Sequence, residues 1–473
     1  MSGSGRIHFG TSGWRAIIAD EFTFDNVRLV TQAIAQTVKE GREMPGIIVG
    51  YDTRFLSEQF ARCCAEVLAA NNIRVLLTNR DTPTPVIAFH IIEKQQAGGI
   101  NFTASHNPPE YNGIKFSPAY GGPAPQAVTA AIERNIAQLQ AAAWKPSVAE
   151  SAGALVTTFD PRKEYLKRMR SLIDMKTIKK AKMKIAVDCL YGTSRGYIDT
   201  LLEGQCGELT MFNDYPNPLF GGFPPEPDVH YISKLITHVR RNAYHLGLSC
   251  DGDADRFGIV DRGGIFLSPN EVFTLLFYYL LKRGGKAVKV ARTLATTHMI
   301  DAIARSEGVE VIETPVGFKY IGEALHKGDC LIGGEESGGL SIQGHVPEKD
   351  GILACLLIAE MVAREKKSLR DILRSLYKKY GYFYSARINV RVTLPEKEKL
   401  LERLRKLAGQ ETFAGIKIAK RNFNDGYKLI FAENCWVMFR PSGTEPVVRC
   451  YFEADSKKKL TQLHNHVIAF IRA

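Results

Sequence analysis

Three times along this chain, an alternation of strand-like and helix-like segments ends the same way: a buried-type strand opens directly into a polar loop. In the first unit GIIVGYDTR (46–54) and IRVLLTN read as strands, and FLSEQFARCCAEVLAANN and TPVIAFHIIEKQQ as helices; AGGI then leads into NFTASHNP (101–108). The second unit runs through KMKIAVDCLYG, RGYIDTLLEG, ELTMFND and YISKLITHVRRNA to HLGLSCDGDADR. The third runs through NEVFTLLFYYLLKRG, KAVKVART, HMIDAIARSEG and VEVIETPVG to DCLIGGEESGG. Such alternation predicts mostly parallel sheets, whose ligands sit beyond the carboxyl ends of the strands. All three polar loops are therefore expected on one cleft.

After about residue 375 the texture changes. ARINVRVTL is strand-like, PEKEKLLERLRKLAG is a charged helix, KLIFAENCWVMFRPSGTEPVVRCYFEA reads as a hairpin, and KKLTQLHNHVIAFIRA closes the chain as a helix. A chain of 473 residues exceeds what one hydrophobic core serves. The expected architecture is three similar α/β domains with mixed, mostly parallel sheets (1–150, 151–257 and 258–374) and a smaller C-terminal α+β domain (375–473), arranged around one central cleft.

Composition narrows the partners. The longest apolar run, VFTLLFYYLL (272–281), is far short of the roughly 20 residues a bilayer requires, and MSGSGRIHFG lacks the apolar core of a signal peptide, so no membrane association is expected. The 9 cysteines are odd in number, scattered and without CxxC spacing, which points away from a disulfide framework or zinc site and toward a reducing cytoplasm. The net charge of +12 is concentrated in runs such as KTIKKAKMK (176–184) and SKKKL (456–460), which read as solvated faces. With no zinc-finger or RNA-binding signature beside them, nucleic acid is not expected. A small phosphorylated substrate suits the same sign of charge. Nothing in the sequence specifies an oligomeric state.

In DGDADR, Asp251, Asp253 and Asp255 alternate, and in an extended segment alternate side chains share one side. Three converging carboxylates repel one another unless a hard cation joins them; Mg2+, with its preference for carboxylate and phosphate oxygens, fits. An EF-hand would need Gly and Glu where this chain has Arg256 and Arg262. A plain acidic surface turn is the other reading, against which stand the flanking apolar HLGLSC and FGIV. Ser105, beside His106, has the setting of a nucleophile, although on these residues alone an Asn-Pro turn accounts for the loop as well. In RPSGTEP (440–446), Arg440, Ser442, Gly443 and Thr444, with Arg449 beyond, suit an anion cradle better than a simple hairpin turn, which needs no arginine. GEESGG (334–339) offers acceptors for hydroxyl groups, or is an acidic turn. Lys115 in NGIKF and Lys349 in PEKDG are candidate proton carriers or surface charges.

Taken together and in this order, FGTSGWR (9–15), TASHNP, NGIKF, DGDADR, GEESGG and RPSGTEP resemble the α-D-phosphohexomutases, the phosphoglucomutase/phosphomannomutase family, over nearly the whole chain. The resemblance implies that Ser105 carries a phosphoryl group and passes it to a hexose monophosphate. The bound 1,6-bisphosphate then turns round and returns its other phosphate, so that phosphate moves between O1 and O6. It further implies Mg2+ held by Asp251, Asp253, Asp255 and the phosphoserine, with Arg15, Arg256 and His106 nearby. Arg440, Ser442, Gly443, Thr444 and Arg449 would hold the non-reacting phosphate. Glu335 and Ser337 would grip ring hydroxyls, with Thr314 and Gly317 of the TPVG turn helping to close the sugar site.

Bifunctional enzymes of the bacterial type often carry His at the end of the GE-x-SG-x loop, where this chain has Gly339. Its H-x-x-E-K-D-G segment (345–351) and GGPAP (121–125) are instead similar to the longer, eukaryotic-like phosphoglucomutases. The implied acid/base pair is Lys115 and Lys349, with His345 as the alternate. Glucose is the expected sugar and glucose 1,6-bisphosphate the intermediate and activator. A mannose or dual preference is the alternative, since the two sugars differ only at C2; a sugar-bisphosphate synthase and a catalytically silent phosphosugar sensor stand further off.

Overall fold

The apolar runs become strands, and the strands gather into four principal sheets. The structure, a computed structural model, describes residues 7–10, 13–40, 45–145, 152–284, 289–442 and 447–472. The first sheet contains β1 (Trp14–Ile17), β2 (Gly46–Tyr51), β3 (Arg74–Thr78), β4 (Gly98–Phe102), β5 (Tyr111–Pro118) and β6 (Val156–Phe159), in the order β1-β5-β4-β2-β3-β6. The second contains β7 (Lys184–Asp188), β8 (Glu208–Phe212), β9 (Leu246–Cys250), β10 (Phe257–Asp261) and β11 (Ile265–Leu267), in the order β11-β10-β9-β7-β8. The third contains β12 (Lys289–Thr293), β13 (Glu310–Thr314), β14 (Cys330–Gly334) and β15 (Leu340–Ile342), in the order β13-β12-β14-β15.

One device recurs in all three. A strand with a parallel neighbour, β4, β9 or β14, runs through its motif loop into an antiparallel partner, β5, β10 or β15. Every residue of β2, β4, β9 and β14 is buried, as befits strands covered on both faces. That burial is why these segments read as unbroken apolar runs, and why the first polar residues after them fall at the sheet edge where chemistry is possible.

The helix Gly351–Glu365 escapes sequence periodicity. It is buried from Gly351 through Ala363, and an all-round apolar helix has no stripe to detect. It packs on β9 and β10 and on the helices Met175–Ala181 and Pro269–Lys282. The second and third units therefore share one continuous core, to which Val86, Ala88 and Phe89 of the first unit also contribute, while the rest of the first unit packs around a core of its own.

The fourth sheet is antiparallel. After β16 (Tyr384–Arg391) and a small hairpin of β17 (Thr412–Phe413) and β18 (Ile416–Lys417) come β19 (Lys420–Asn422), β20 (Tyr427–Ala432), β21 (Cys435–Pro441) and β22 (Val447–Ala454), in the order β16-β22-β21-β20-β19. The helices Leu394–Lys406 and Lys457–Arg472 close its core. A buried lysine ties it to the third unit: Lys428 Nζ donates to Leu294 O at 2.7 Å and lies 2.8 Å from His298 Nε2. Burial, with Arg292 nearby, lowers that ammonium to about 8. All nine cysteines are free thiols, and no described helix is long and apolar enough to cross a membrane.

Candidate active site

Beyond β4 the backbone turns sharply, and Ser105 adopts a left-handed conformation with φ of 52°. For a residue with a Cβ this conformation costs on the order of 1 kcal/mol or more, so the surroundings must enforce it. Arg54 does so. Its side chain is fully buried, pairs with Asp52 at 3.1 Å, and donates to the carbonyls of Ser105, Asn107 and Pro108 at 2.7 Å and of Tyr111 at 2.9 Å. Neither Asp52 nor Arg54 stood out in the sequence, although a charged pair directly after the apolar GIIVGY run was the available signal. Arg54→Met would strand the Asp52 charge in the interior, and a loss of about 3 kcal/mol or more is expected in urea unfolding; a loss within 1 kcal/mol would contradict that role for Arg54.

The aspartate loop is a tight turn and not the extended segment its alternation suggested. Ala254 sits at φ of 55°, its N–H donates to Asp251 O at 3.0 Å, and Asp251 N–H donates to Arg256 O at 3.3 Å. The carboxylates converge all the same: one ligand oxygen from each of Asp251, Asp253 and Asp255 lies within 4.8 Å of the others, with all three residues at most 1 % exposed. Ser105 Oγ donates to Asp251 Oδ2 at 2.8 Å, joining loops 146 residues apart. Asp253 Oδ2 receives Thr84 Oγ1 at 2.6 Å and Lys115 Nζ at 2.5 Å. Asp255 Oδ2 receives Lys115 at 3.0 Å and lies 3.2 Å from Lys349 Nζ.

The opposite oxygens, Asp253 Oδ1 and Asp255 Oδ1, are buried with no hydrogen-bond partner among the described residues. An unpaired buried carboxylate oxygen is expensive, and a trio of convergent hard oxygens is the donor set for a divalent cation. Burial, followed by repulsion from Asp253 and Asp255, pushes the Asp251 carboxyl well above the usual range. Burial also works against charge on Asp255, but Lys115, Lys349 and Arg256 overcome it and hold that carboxyl below the usual range. Burial likewise disfavours the Lys115 and Lys349 ammoniums, yet the facing carboxylates raise both, so both lysines are charged.

His106 Nδ1 lies 3.3 Å from Ser105 Oγ; burial, with Arg256 and Arg15 beside it, lowers its pKa well below the ordinary value and keeps the ring neutral. Arg15 donates to Asn107 Oδ1 at 2.7 Å, bracing the same loop. The Arg256 guanidinium is 3.9 Å from Asp255 Oδ1, and its backbone N–H donates to Asp251 Oδ1 at 3.0 Å.

Of the two alternates for a second proton carrier, only Lys349 joins this cluster. A side chain at position 339 would put its Cβ 2.7 Å from Lys349 Cγ, so the glycine there leaves the room the lysine occupies. His345, expected to touch the sugar or carry the proton, is engaged elsewhere. Its side chain is fully buried, with Nε2 2.8 Å from Asp350 Oδ2, an oxygen that also accepts from Tyr165 at 2.7 Å. Asp350 caps the helix Gly351–Glu365 through Leu353 N, so His345 props up that cap from inside the core.

Just past β14, Glu335 Oε1 accepts from Gly317 N at 3.0 Å, and Oε2 lies 3.5 Å from Ser337 Oγ. Gly317 has φ of 131°, a conformation that favours glycine. The Thr314 hydroxyl faces its own backbone, 3.0 Å from Pro315 O. Burial first, and Glu336 second, push the Glu335 carboxyl up to about 7. Below that pH Glu335 takes up a proton and loses acceptor capacity toward hydroxyl groups. The KM for a hydroxylated substrate is therefore expected to rise as pH falls below about 7. Comparing KM–pH profiles of wild type and Glu335→Gln checks this: the variant should lack that component, and superimposable profiles would contradict it.

Arg440 and Arg449 face each other across the β21–β22 pair. Arg440 Nε is 3.1 Å from each Asp425 oxygen, and buried Ser442 follows, its N–H donating to Val447 O at 2.9 Å. Gly443 and Thr444 lie outside the described residues.

Three parallel-to-antiparallel strand turns, one bearing a buried hydroxyl, one an acidic trio and one a buried carboxylate, define a class of α/β architecture also seen in known proteins. Residues 6–143, 163–264, 268–380 and 388–469 match, in order, domains I, II and III (each α/β/α) and the C-terminal domain of phosphoglucomutase/phosphomannomutase. A phosphoglucomutase/phosphomannomutase of Thermococcus kodakarensis is 30 % identical over 454 residues, covering 95 % of both chains. Human phosphoglucomutase-1 is 28 % identical, covering 95 % of this chain and 90 % of its own. The crystal structure of a Thermus thermophilus protein assigned as a phosphomannomutase superposes with a TM-score of 0.85 at 32 % identity, covering 99 % of this chain and all of that one. The chain belongs to the phosphoglucomutase/phosphomannomutase family, whose members are mutases of the isomerase class.

Proposed function

We propose that this protein is a phosphoglucomutase that interconverts glucose 1-phosphate and glucose 6-phosphate through phospho-Ser105 and glucose 1,6-bisphosphate. The observation that carries the reading is the Ser105 hydroxyl, 2.8 Å from Asp251 in a buried acidic trio bordered by two charged lysines. Asp251, Asp253, Asp255 and the phosphoserine are the proposed holders of Mg2+, which when bound neutralises charge on the transferring phosphoryl group.

Phosphoryl transfer depends on positioning and on stabilising charge that spreads over oxygen. The bond from Ser105 Oγ to phosphorus breaks as a bond forms to the sugar oxygen, and Arg15, Arg256 and neutral His106 surround the group in flight. The proton of the attacking hydroxyl passes to one lysine of the Lys115 and Lys349 pair as that ammonium releases one of its own to a carboxylate it faces, Asp253 for Lys115 or Glu348 for Lys349. The relay runs backwards to protonate the opposite oxygen when the turned bisphosphate hands its other phosphate back to Ser105. Arg440, Ser442, Gly443, Thr444 and Arg449 hold the phosphate that is not reacting, so one anchor serves both orientations. Glu335 and Ser337 grip the ring hydroxyls that glucose and mannose share. The free thiols suit the reducing cytoplasm as the place of action.

A phosphomannomutase or dual activity is the second reading, favoured by the names carried by the Thermococcus and Thermus relatives. The test supplies purified enzyme with Mg2+ and a trace of glucose 1,6-bisphosphate. Glucose 1-phosphate is expected to show the highest kcat/KM. Faster turnover of mannose 1-phosphate or of glucosamine 6-phosphate would overturn the sugar assignment, and accumulation of free bisphosphate would replace the mutase with a synthase.

A further inference from the structure

We propose that Asp425 is a positioning residue that sets the phosphate arginine of the C-terminal domain in register with the sugar loop of the third sheet. The proposal rests on the reading of Arg440 as a phosphate anchor. Asp425 lies in the NDG turn between β19 and β20, and Gly426 fixes the shape of that turn. Gly426 has φ of 105°, and any Cβ there would sit 2.6 Å from Phe439 O. The turn is thereby pressed against the end of β21, one residue before Arg440.

From that place the Asp425 carboxylate reaches in two directions. Both oxygens lie 3.1 Å from Arg440 Nε, and Oδ2 also accepts from Val316 N at 2.8 Å. Val316 belongs to the TPVG turn, whose next N–H, that of Gly317, donates to Glu335 Oε1 at 3.0 Å. Two consecutive peptide N–H groups thus hold two carboxylates: one orients the arginine for the phosphate, the other is itself the grip for ring hydroxyls.

A carboxylate beside a phosphate anchor weakens anion binding by like-charge repulsion, so a positional gain must offset its presence. That gain follows from the substrate. A hexose phosphate carries its phosphate and its ring hydroxyls at a nearly fixed separation, and the two protein groups that meet them come from different domains. Misplacement by about 1 Å far from the reacting centre can cost roughly 100-fold in rate. Asp425 is a side chain that spans those domains, touching both the TPVG turn and the arginine.

The test uses full-length enzyme and glucose 1-phosphate, comparing wild type, Asp425→Ala, Arg440→Ala and the double variant. Asp425→Ala is expected to raise KM about 10-fold and to lower kcat. Because it acts through Arg440, the double variant should fall within about twofold of Arg440→Ala alone. Asp425→Ala kinetics within twofold of wild type, or single effects that multiply in the double variant, would overturn the proposal. If Arg440→Ala itself leaves KM unchanged, the anchor assignment fails instead. Thermal midpoints are measured alongside; should Asp425→Ala unfold, Asp425→Asn decides, and wild-type KM in that variant is the overturning result.

Discussion

Ser105→Ala is expected to lower mutase turnover by about 10,000-fold or more, the scale of losing a covalent nucleophile, while binding of hexose phosphate persists. Two neighbouring hydroxyls among the described residues of this cluster are already engaged. Thr84 Oγ1 is committed to Asp253 at 2.6 Å, and Thr103 Oγ1 accepts the Ser105 backbone N–H at 2.9 Å. The loop itself should survive, because Arg54 holds its carbonyls and the hydroxyl takes no part in that hold. Steady-state assay and calorimetric binding of glucose 6-phosphate on the same preparation check both halves. A variant retaining more than about 1 % of wild-type turnover would remove Ser105 from the mechanism.

Stripping divalent cations is expected to lower turnover by about 1,000-fold, the scale of losing a principal electrostatic stabiliser, and returning Mg2+ should restore it. A second signature does not involve turnover. Asp251, Asp253 and Asp255 face one another, and Asp253 Oδ1 and Asp255 Oδ1 accept no hydrogen bond among the described residues, so a bound cation would stabilise the folded state. At 100-fold over its dissociation constant that linkage is worth about 2.7 kcal/mol. The thermal midpoint should therefore rise with Mg2+ in wild type and stay still in Asp253→Ala, where the cage is broken and Lys115 keeps only Asp255. A wild-type midpoint indifferent to Mg2+, Mn2+ and Ca2+ alike would contradict a cation site at these aspartates.

Much of this site was legible because buried strands end abruptly. β4, β9 and β14 are wholly buried, so the first polar residues after them stand out, and Ser105, Asp251 and Glu335 each follow within three residues. Other features depend on where a turn directs a side chain. The three carboxylates meet through a left-handed kink at Ala254, not through the alternation of an extended strand, although the cluster is the same. His345 resembled a proton carrier by its place in H-x-x-E-K-D-G, but its ring turns inward to Asp350. Arg54 acts on carbonyl oxygens up to 57 residues away, contacts that leave no periodic trace. Asp425 looks like an ordinary turn residue until Val316 and Arg440 are brought to it. The helix Gly351–Glu365 was hidden because both of its faces are core.

The most direct measurement is intact mass spectrometry with peptide mapping of the purified enzyme before and after excess hexose monophosphate. The account predicts a phosphoryl group on the peptide bearing Ser105, lost on mixing with the appearance of no more than one equivalent of hexose 1,6-bisphosphate per enzyme. A catalytically active enzyme whose Ser105 peptide is unmodified in both samples, or whose phosphoryl group stays in place throughout turnover, would contradict it.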